Sequence, residues 1–179
     1  MAGIITDPKI YKPDNILDDL FSEFRETLRK EKHRDVVLIT EPRSSDDKDV
    51  LIDLNRVKRV VRNLFQNALG NTKSGYIKIG YYLRDENVHF YVVDSGKGFF
   101  KCKEFFQTED LNESLNKHLD LNSAVNITLA RKLIELMRGT VRIECNGMTG
   151  TGIYFSIPAR SENSPDISNN KTQNSMIAI

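Results

Sequence analysis

The sequence predicts an α+β domain, a two-layer α/β sandwich in which about three helices cover one face of a mixed, mostly antiparallel sheet. Three observations carry this prediction. Three segments repeat apolar residues at helical spacing with charged residues opposite, so each has one face to bury. Strand-like runs come in pairs joined by short polar turns, the pattern of antiparallel hairpins. Helices and groups of strands alternate along the chain, which supplies cover for one face of a sheet.

Residues 1–13 read as an irregular lead-in. Asp14 or Asn15 suits a helix N-cap just after Pro13. Ile16, Leu17, Leu20, Phe21, Phe24 and Leu28 then line one helical face. Val36 to Ile39 is a β-branched run read as a strand, and the polar stretch from Pro42 to Lys48 is turn-like. Val50 to Ile52 reads as a second short strand. Asp53 suits the N-cap of a second helix, striped by Val57, Val60, Val61, Leu64, Phe65 and Ala68 and ending near Gly70 and Asn71. Tyr76 to Leu83 and Val88 to Val93 form a hairpin. From Lys97 to Ser123 both periodicities fail. With Phe99, Phe100, Phe105 and Phe106 this stretch reads as a long loop, a length usually kept for function. A third helix runs from about Ala124 to Arg138, with Leu129, Leu133, Leu136 and Met137 on one face and Gly139 ending it. Thr140 to Cys145 and Ile153 to Ile157 close the domain as a hairpin. Ser, Asn, Lys and Asp dominate after Pro158, so residues 160–179 are expected to be disordered and the domain to span 14–159.

A chain of 179 residues, 39% hydrophobic and 28% charged, suits one globular domain with a real core. Its net charge of +1, with cations and acids interspersed, offers no field for nucleic acid or an anionic membrane, and no nucleic-acid partner is expected. No apolar run is long enough to cross a bilayer, and the N-terminus has no signal-peptide pattern. Cys102 and Cys145 lack metal or redox spacing and read as two thiols in a reducing, cytoplasmic setting.

Three constellations carry chemistry. In R-N-L-F-Q-N-A, Asn63 and Asn67 are four apart and interrupt the apolar stripe from one side. Either they serve a polar ligand, or both simply bond to backbone or water. In V-V-D-S-G-K-G-F, a strand ends in Asp94, and Gly96 and Gly98 allow close backbone approach to a ligand; many tight turns share this pattern. In G-T-G-I-Y-F-S-I-P, Gly150 and Gly152 precede an alternating strand, which an ordinary hairpin turn also explains.

Taken in order, these motifs resemble the ATPase domain shared by sensor histidine kinases, DNA gyrase B, MutL and the heat-shock ATPase chaperones, a Bergerat-type ATPase fold. The stretch N-R-V-K-R-V-V-R-N-L-F-Q-N-A is similar to the histidine kinases' asparagine box, and D-S-G-K-G to their first glycine box. A-R-K-L-I-E-L-M-R-G-T-V-R-I-E-C and T-G-T-G-I-Y-F-S-I-P resemble the helix, strand and hairpin that follow their ATP lid. The resemblance spans roughly Asn15 to Ala159. It implies ATP and Mg²⁺ as cofactors, with Asn67 on the metal, Asn63 beside the metal or its waters as the catalytic candidate, and Asp94 on the adenine amine. Gly96 and Gly98 would let the nucleotide approach, and Thr151 would lie near the adenine. The family's second glycine box falls on Asn122, Ala124 and Asn126, none of them glycine, and Gly70 stands where a lysine is common. Lys97, Lys117 and Arg131 are the candidate substitutes for phosphate contacts.

The implied function is phosphoryl transfer from Mg-ATP to a histidine on a separate dimerisation domain, with a response-regulator receiver domain downstream. The chain would be cytoplasmic, free or as part of a membrane-anchored sensor. His33, His89 and His118 do not match the family's acceptor context, so the chain alone is expected to be inactive in autophosphorylation. A non-catalytic nucleotide-binding or scaffolding module is the alternative raised by the lost glycines. A gyrase-like ATPase is disfavoured, because Asn63 stands where those enzymes carry a glutamate base.

Overall fold

The computed structural model describes residues 9–11, 17–30, 35–41, 49–98, 121–145 and 150–159. Their elements are β1 (Lys9–Tyr11), α1 (Asp18–Lys30), β2 (Asp35–Thr40), β3 (Val50–Ile52), α2 (Leu54–Asn71), β4 (Ser74–Arg84), β5 (Asn87–Asp94), α3 (Leu121–Leu136), β6 (Thr140–Cys145) and β7 (Thr151–Pro158). Five strands form one sheet in the order β2-β4-β5-β7-β6. Only β2 and β4 run parallel, and the other pairs are antiparallel. This is the mixed, mostly antiparallel sheet that the sequence predicts.

The alternation along the strands decides the two faces. Ile77, Ile79, Val88, Phe90, Val92, Ile153 and Phe155 point into a core shared with Val57, Val60, Val61, Leu64 and Phe65 of α2 and with Ala130 and Ile134 of α3. Phe90 stacks on Phe155 at 4.9 Å. Helix α1 joins this layer through a Phe24–Phe65 stack at 3.9 Å, flanked by Lys58–Asp19 and Arg62–Glu23 ion pairs, each 2.8 Å. The exposed partners of those pairs are screened, so the aromatic burial fixes α1 in place. On the opposite face Tyr82 stacks with His89, and Tyr91 meets Tyr154 at a tilt of 38°. None of the described helices covers it.

Local chemistry sets the boundaries. Asp53 caps α2 by accepting from the Arg56 N–H at 3.1 Å, a contact worth about 1 kcal/mol. The β4–β5 hairpin turns on Asp85 and Glu86, both at positive φ, which makes it a two-residue turn matched to the strand twist. Arg138, at φ 57, provides the left-handed residue that ends α3, and the Gly139 N–H donates to the Ile134 carbonyl.

Four expectations are corrected. The lead-in contains a strand: Lys9–Tyr11 pairs antiparallel with β3, and three residues are too few to show a period of their own. Helix α2 ends at Asn71, where it was expected to, but neither Gly70 nor Asn71 is its cap. Its cap is Thr72, whose N–H and hydroxyl both donate to the Ala68 carbonyl, at 3.0 and 2.8 Å. Helix α3 begins at Leu121, because Asn122, Ala124 and Asn126 permit a helical turn where glycines would unwind it. Cys145 is disulfide-bonded, and spacing along the chain could not reveal that. The proposed Asp14 or Asn15 cap, the loop phenylalanines, Cys102, Lys117, His33, His118 and the tail from residue 160 lie outside the described residues.

Candidate functional site

Helix α2 buries one stripe in the core and turns a polar edge toward the end of β5. Asn63 and Asn67 occupy that edge one turn apart. Asn67 is buried, and the side-chain nitrogen of Asn63 is buried without a hydrogen-bond partner. An unsatisfied buried amide costs about 1–3 kcal/mol. A polar group that enters from this edge can accept from it.

Strand β5 ends in Asp94, which is buried to 4% exposure. Its carboxylate accepts from the Gly96 N–H at 2.9 Å and from the backbone N–H of Thr151, its partner in the β5–β7 ladder. Burial pushes its pKa up from 3.8 to about 6, and the two N–H bonds pull it back only partly. Removal from water outweighs the donors. Each carboxylate oxygen still has a lone pair able to accept from a further donor.

The turn after Asp94 is shaped by close backbone approach. A Cβ on Gly96 would lie 2.4 Å from the Asn71 carbonyl oxygen, so glycine is required there. The Lys97 N–H donates to that same carbonyl at 3.3 Å, and Gly98 takes φ 69. Gly150 has φ 105, and a Cβ there would meet the Asp94 carbonyl at 2.0 Å. The last turns of α2, the turn after β5 and the start of β7 thus converge. They bring Asn67, Asp94, Gly96, Gly98 and Thr151 to one end of the sheet, with Asn63 one turn back along α2.

The other predicted positions lie apart. Asn122, Ala124 and Asn126 fall within the first two turns of α3, which packs against α2, and Asn126 is half-buried. Arg131 is tied to Glu135 at 2.9 Å, and Lys97 is exposed. His89 sits in β5 on the sheet face away from α2, stacked on Tyr82, with its Nε2 buried and unpartnered. A cleft of about 650 Å³ reaches Asp94 and Thr151 from that same open face, between Arg142, Glu144 and Tyr154. No residue of α2 lines it.

Sequence reasoning missed Asn71, which it read as a helix end. Its side-chain nitrogen donates to the Asn67 carbonyl at 3.0 Å and stands 3.4 Å from the Asn67 side-chain oxygen. The available signal was the continued spacing of four: Asn63, Asn67, Asn71. Ser95 was also passed over. Its hydroxyl accepts from the Tyr76 N–H at 2.7 Å and locks the start of β4 to the turn.

Comparison with known proteins identifies the family of this fold. Residues 52–161 match the family described as histidine kinase-, DNA gyrase B- and HSP90-like ATPase. Histidine protein kinase 1 of Candida albicans is 33% identical over 132 residues, covering 68% of this chain and 5% of that protein. The chain therefore spans a small part of the relative it matches. Among solved structures, the catalytic domain of histidine kinase ThkA superposes with TM-score 0.61 at 25% identity, covering 85% of this chain and 95% of that one. Full-length ShkA in complex with AMPPNP gives TM-score 0.67 at 19% identity, over 92% of this chain and 34% of that one, a likeness of fold. A family match over more than half of the chain, on the very segment that holds the asparagine pair and the glycine turn, decides the matter: this chain belongs to the histidine kinase-, DNA gyrase B- and HSP90-like ATPases, as an ATP-binding domain of the histidine kinase kind.

Proposed function

We propose that the domain binds Mg-ATP and presents its γ-phosphoryl group to a histidine on a separate dimerisation domain of a parent kinase. A response-regulator receiver domain would take the group onward, and the site of action would be the cytoplasm. The observation that carries this reading is the buried Asp94 carboxylate, held by two backbone donors where the end of α2, the turn after β5 and the start of β7 converge. An adenine amine can donate to it, whereas a guanine carbonyl cannot.

The remaining residues fit the rest of the nucleotide. Gly96 and Gly98 leave room for it against the turn. Thr151 holds Asp94 through its N–H and stands at the adenine end. Asn67 offers an amide oxygen of the hard type Mg²⁺ takes, and Mg²⁺ keeps most of its shell as water, so one protein oxygen is enough. The unpartnered Asn63 nitrogen suits a phosphate oxygen or a metal-bound water. When bound, the ion offsets charge on the phosphates. The start of α3, with Asn122, Ala124 and Asn126 in helical conformation, would supply backbone N–H groups and the positive end of the helix dipole to the phosphates in place of a glycine nest.

Phosphoryl transfer on this scheme is positioning and charge neutralisation, so a detached domain can bind its nucleotide and wait for an acceptor. Calorimetric titration with ATP and AMPPNP, with and without Mg²⁺, tests the first half. Labelled ATP with a separately supplied histidine-bearing dimerisation domain tests the second. Mg²⁺-dependent binding is expected, and no binding of either adenine nucleotide would overturn the reading.

A further inference from the structure

We infer that Asn71 is a positioning residue which fixes the Asn67 amide for Mg²⁺ and joins it to the adenine turn. This rests on the nucleotide-binding reading above. Asn71 touches both halves of the site. Its side-chain nitrogen donates to the Asn67 main-chain carbonyl at 3.0 Å and lies 3.4 Å from the Asn67 side-chain oxygen. Its own main-chain carbonyl accepts the Lys97 N–H at 3.3 Å and packs against Gly96.

An asparagine amide has an oxygen end and a nitrogen end, and only the oxygen binds a hard cation. The main-chain carbonyl of Asn67 can only accept, so it dictates that Asn71 turns its nitrogen inward. That nitrogen in turn sets the Asn67 amide. A reversed Asn67 would place two donors face to face. With its oxygen toward Asn71, one lone pair is engaged weakly and the other is left for the metal. The orientation is thus copied from the helix backbone to the metal-binding oxygen through one side chain.

The test is a Mg²⁺ titration, followed by the affinity of a fluorescent ATP analogue, on the parent chain, Asn71→Leu and Asn71→Ser. Leucine keeps the bulk and removes the donor. Serine keeps a hydroxyl bond back to the Asn67 carbonyl, which protects the helix end, but is too short to reach the Asn67 side-chain oxygen. Both should raise the Mg²⁺ concentration needed for half-maximal tightening about fivefold, the worth of one neutral hydrogen bond. Affinity in EDTA should stay within about twofold, because Lys97 holds a main-chain carbonyl that neither change removes, and fivefold is the margin that one lost bond must clear. An unchanged Mg²⁺ requirement in either folded variant overturns the inference, as does an equal loss with and without Mg²⁺. If leucine does not fold, serine alone decides. A parent chain that binds no adenine nucleotide would instead overturn the proposed function, so the two failures are distinct.

Discussion

Neutralising Asp94 should separate adenine recognition from the rest of the site. With a pKa of about 6, this carboxyl is mostly ionised at pH 7 and mostly protonated at pH 5. Only the ionised form accepts from the adenine amine without losing its bonds to Gly96 and Thr151. The ionised fraction falls about tenfold between those pH values, so adenine-nucleotide affinity should fall about tenfold, or roughly 1.4 kcal/mol. Asp94→Asn removes the titration and also gives the side chain a donor for a guanine carbonyl. Its affinity for ATP should be weaker at pH 7 and its preference for ATP over GTP should largely vanish. Calorimetry at pH 5, 6, 7 and 8 on both proteins is the assay. Taking the ratio of parent to variant at each pH cancels titration of the phosphates themselves. The same shift bears on folding. An aspartate that ionises near 3.8 when unfolded and about 6 when folded binds more protons in the native state between those values. Its contribution to stability is therefore lost as pH rises from about 4 through 6, at a cost of roughly 3 kcal/mol by pH 7. Asp94→Asn should raise the urea midpoint at pH 7, with the gain fading toward pH 4. A parent-to-variant affinity ratio that does not move with pH, together with no stability gain at pH 7, would refute the account of Asp94.

Four further outcomes are expected. Labelled ATP should leave the chain unlabelled, since His89 lies in β5 on the sheet face away from α2; acid-labile label on any of its histidines, read by mass spectrometry, would contradict this. ATP and ADP should bind within about tenfold of each other, or roughly 1.4 kcal/mol, because no glycine nest grips the γ-phosphate. Glycine at positions 122, 124 and 126 together should unwind the first turn of α3, at about 1 kcal/mol per residue, and favour ATP selectively by calorimetry. Phe65→Ala should lower stability by about 3–5 kcal/mol in urea unfolding, since the ring is fully buried against Phe24.

Elements with a clean period were legible in the sequence. The stripe of α2, the alternation of β4, β5 and β7 and the Asp53 cap are each fixed by which face must leave water, and burial follows that pattern. Asp94 and its glycines were legible only in company: many tight turns share D-x-G-x-G, and its order after the asparagine helix is what singled it out. What failed to show was anything decided by a partner distant in sequence. Strand β1 exists because β3 offers it a ladder. The disulfide at Cys145 depends on proximity in space. The start of α3 lies three residues before the expected Ala124, a difference the sequence hid because the polar stretch up to Ser123 shows no apolar period. The end of α2 near Gly70 and Asn71 was legible, but the bond from the Asn71 amide back to Asn67 was not, because it depends on how two side chains one turn apart are oriented.

Helix α2 is both the centre of the core and the wall of the site, and this couples stability to binding. Its apolar face meets α1, β5 and α3, while its last two turns carry Asn67 and the carbonyl that anchors the turn after Asp94. Rotating α2 to relieve a packing defect would move the asparagines and Gly96 together, because Gly96 is in contact with the Asn71 backbone. The site therefore has little freedom to adjust piecemeal. Ligand discrimination must come from groups whose charge or hydrogen-bond polarity differs, as Asp94 and the amide of Asn67 do. The start of α3 belongs to a different segment, joined to the turn through residues 99–120 of the chain, and the phosphate end can vary without disturbing that rigid half. On the proposed reading, the absence of glycines at Asn122, Ala124 and Asn126 and the presence of Asp94, Gly96 and Asn67 are in this sense compatible: the first would alter the grip on the phosphates, while the second would keep the adenine and the ion in register.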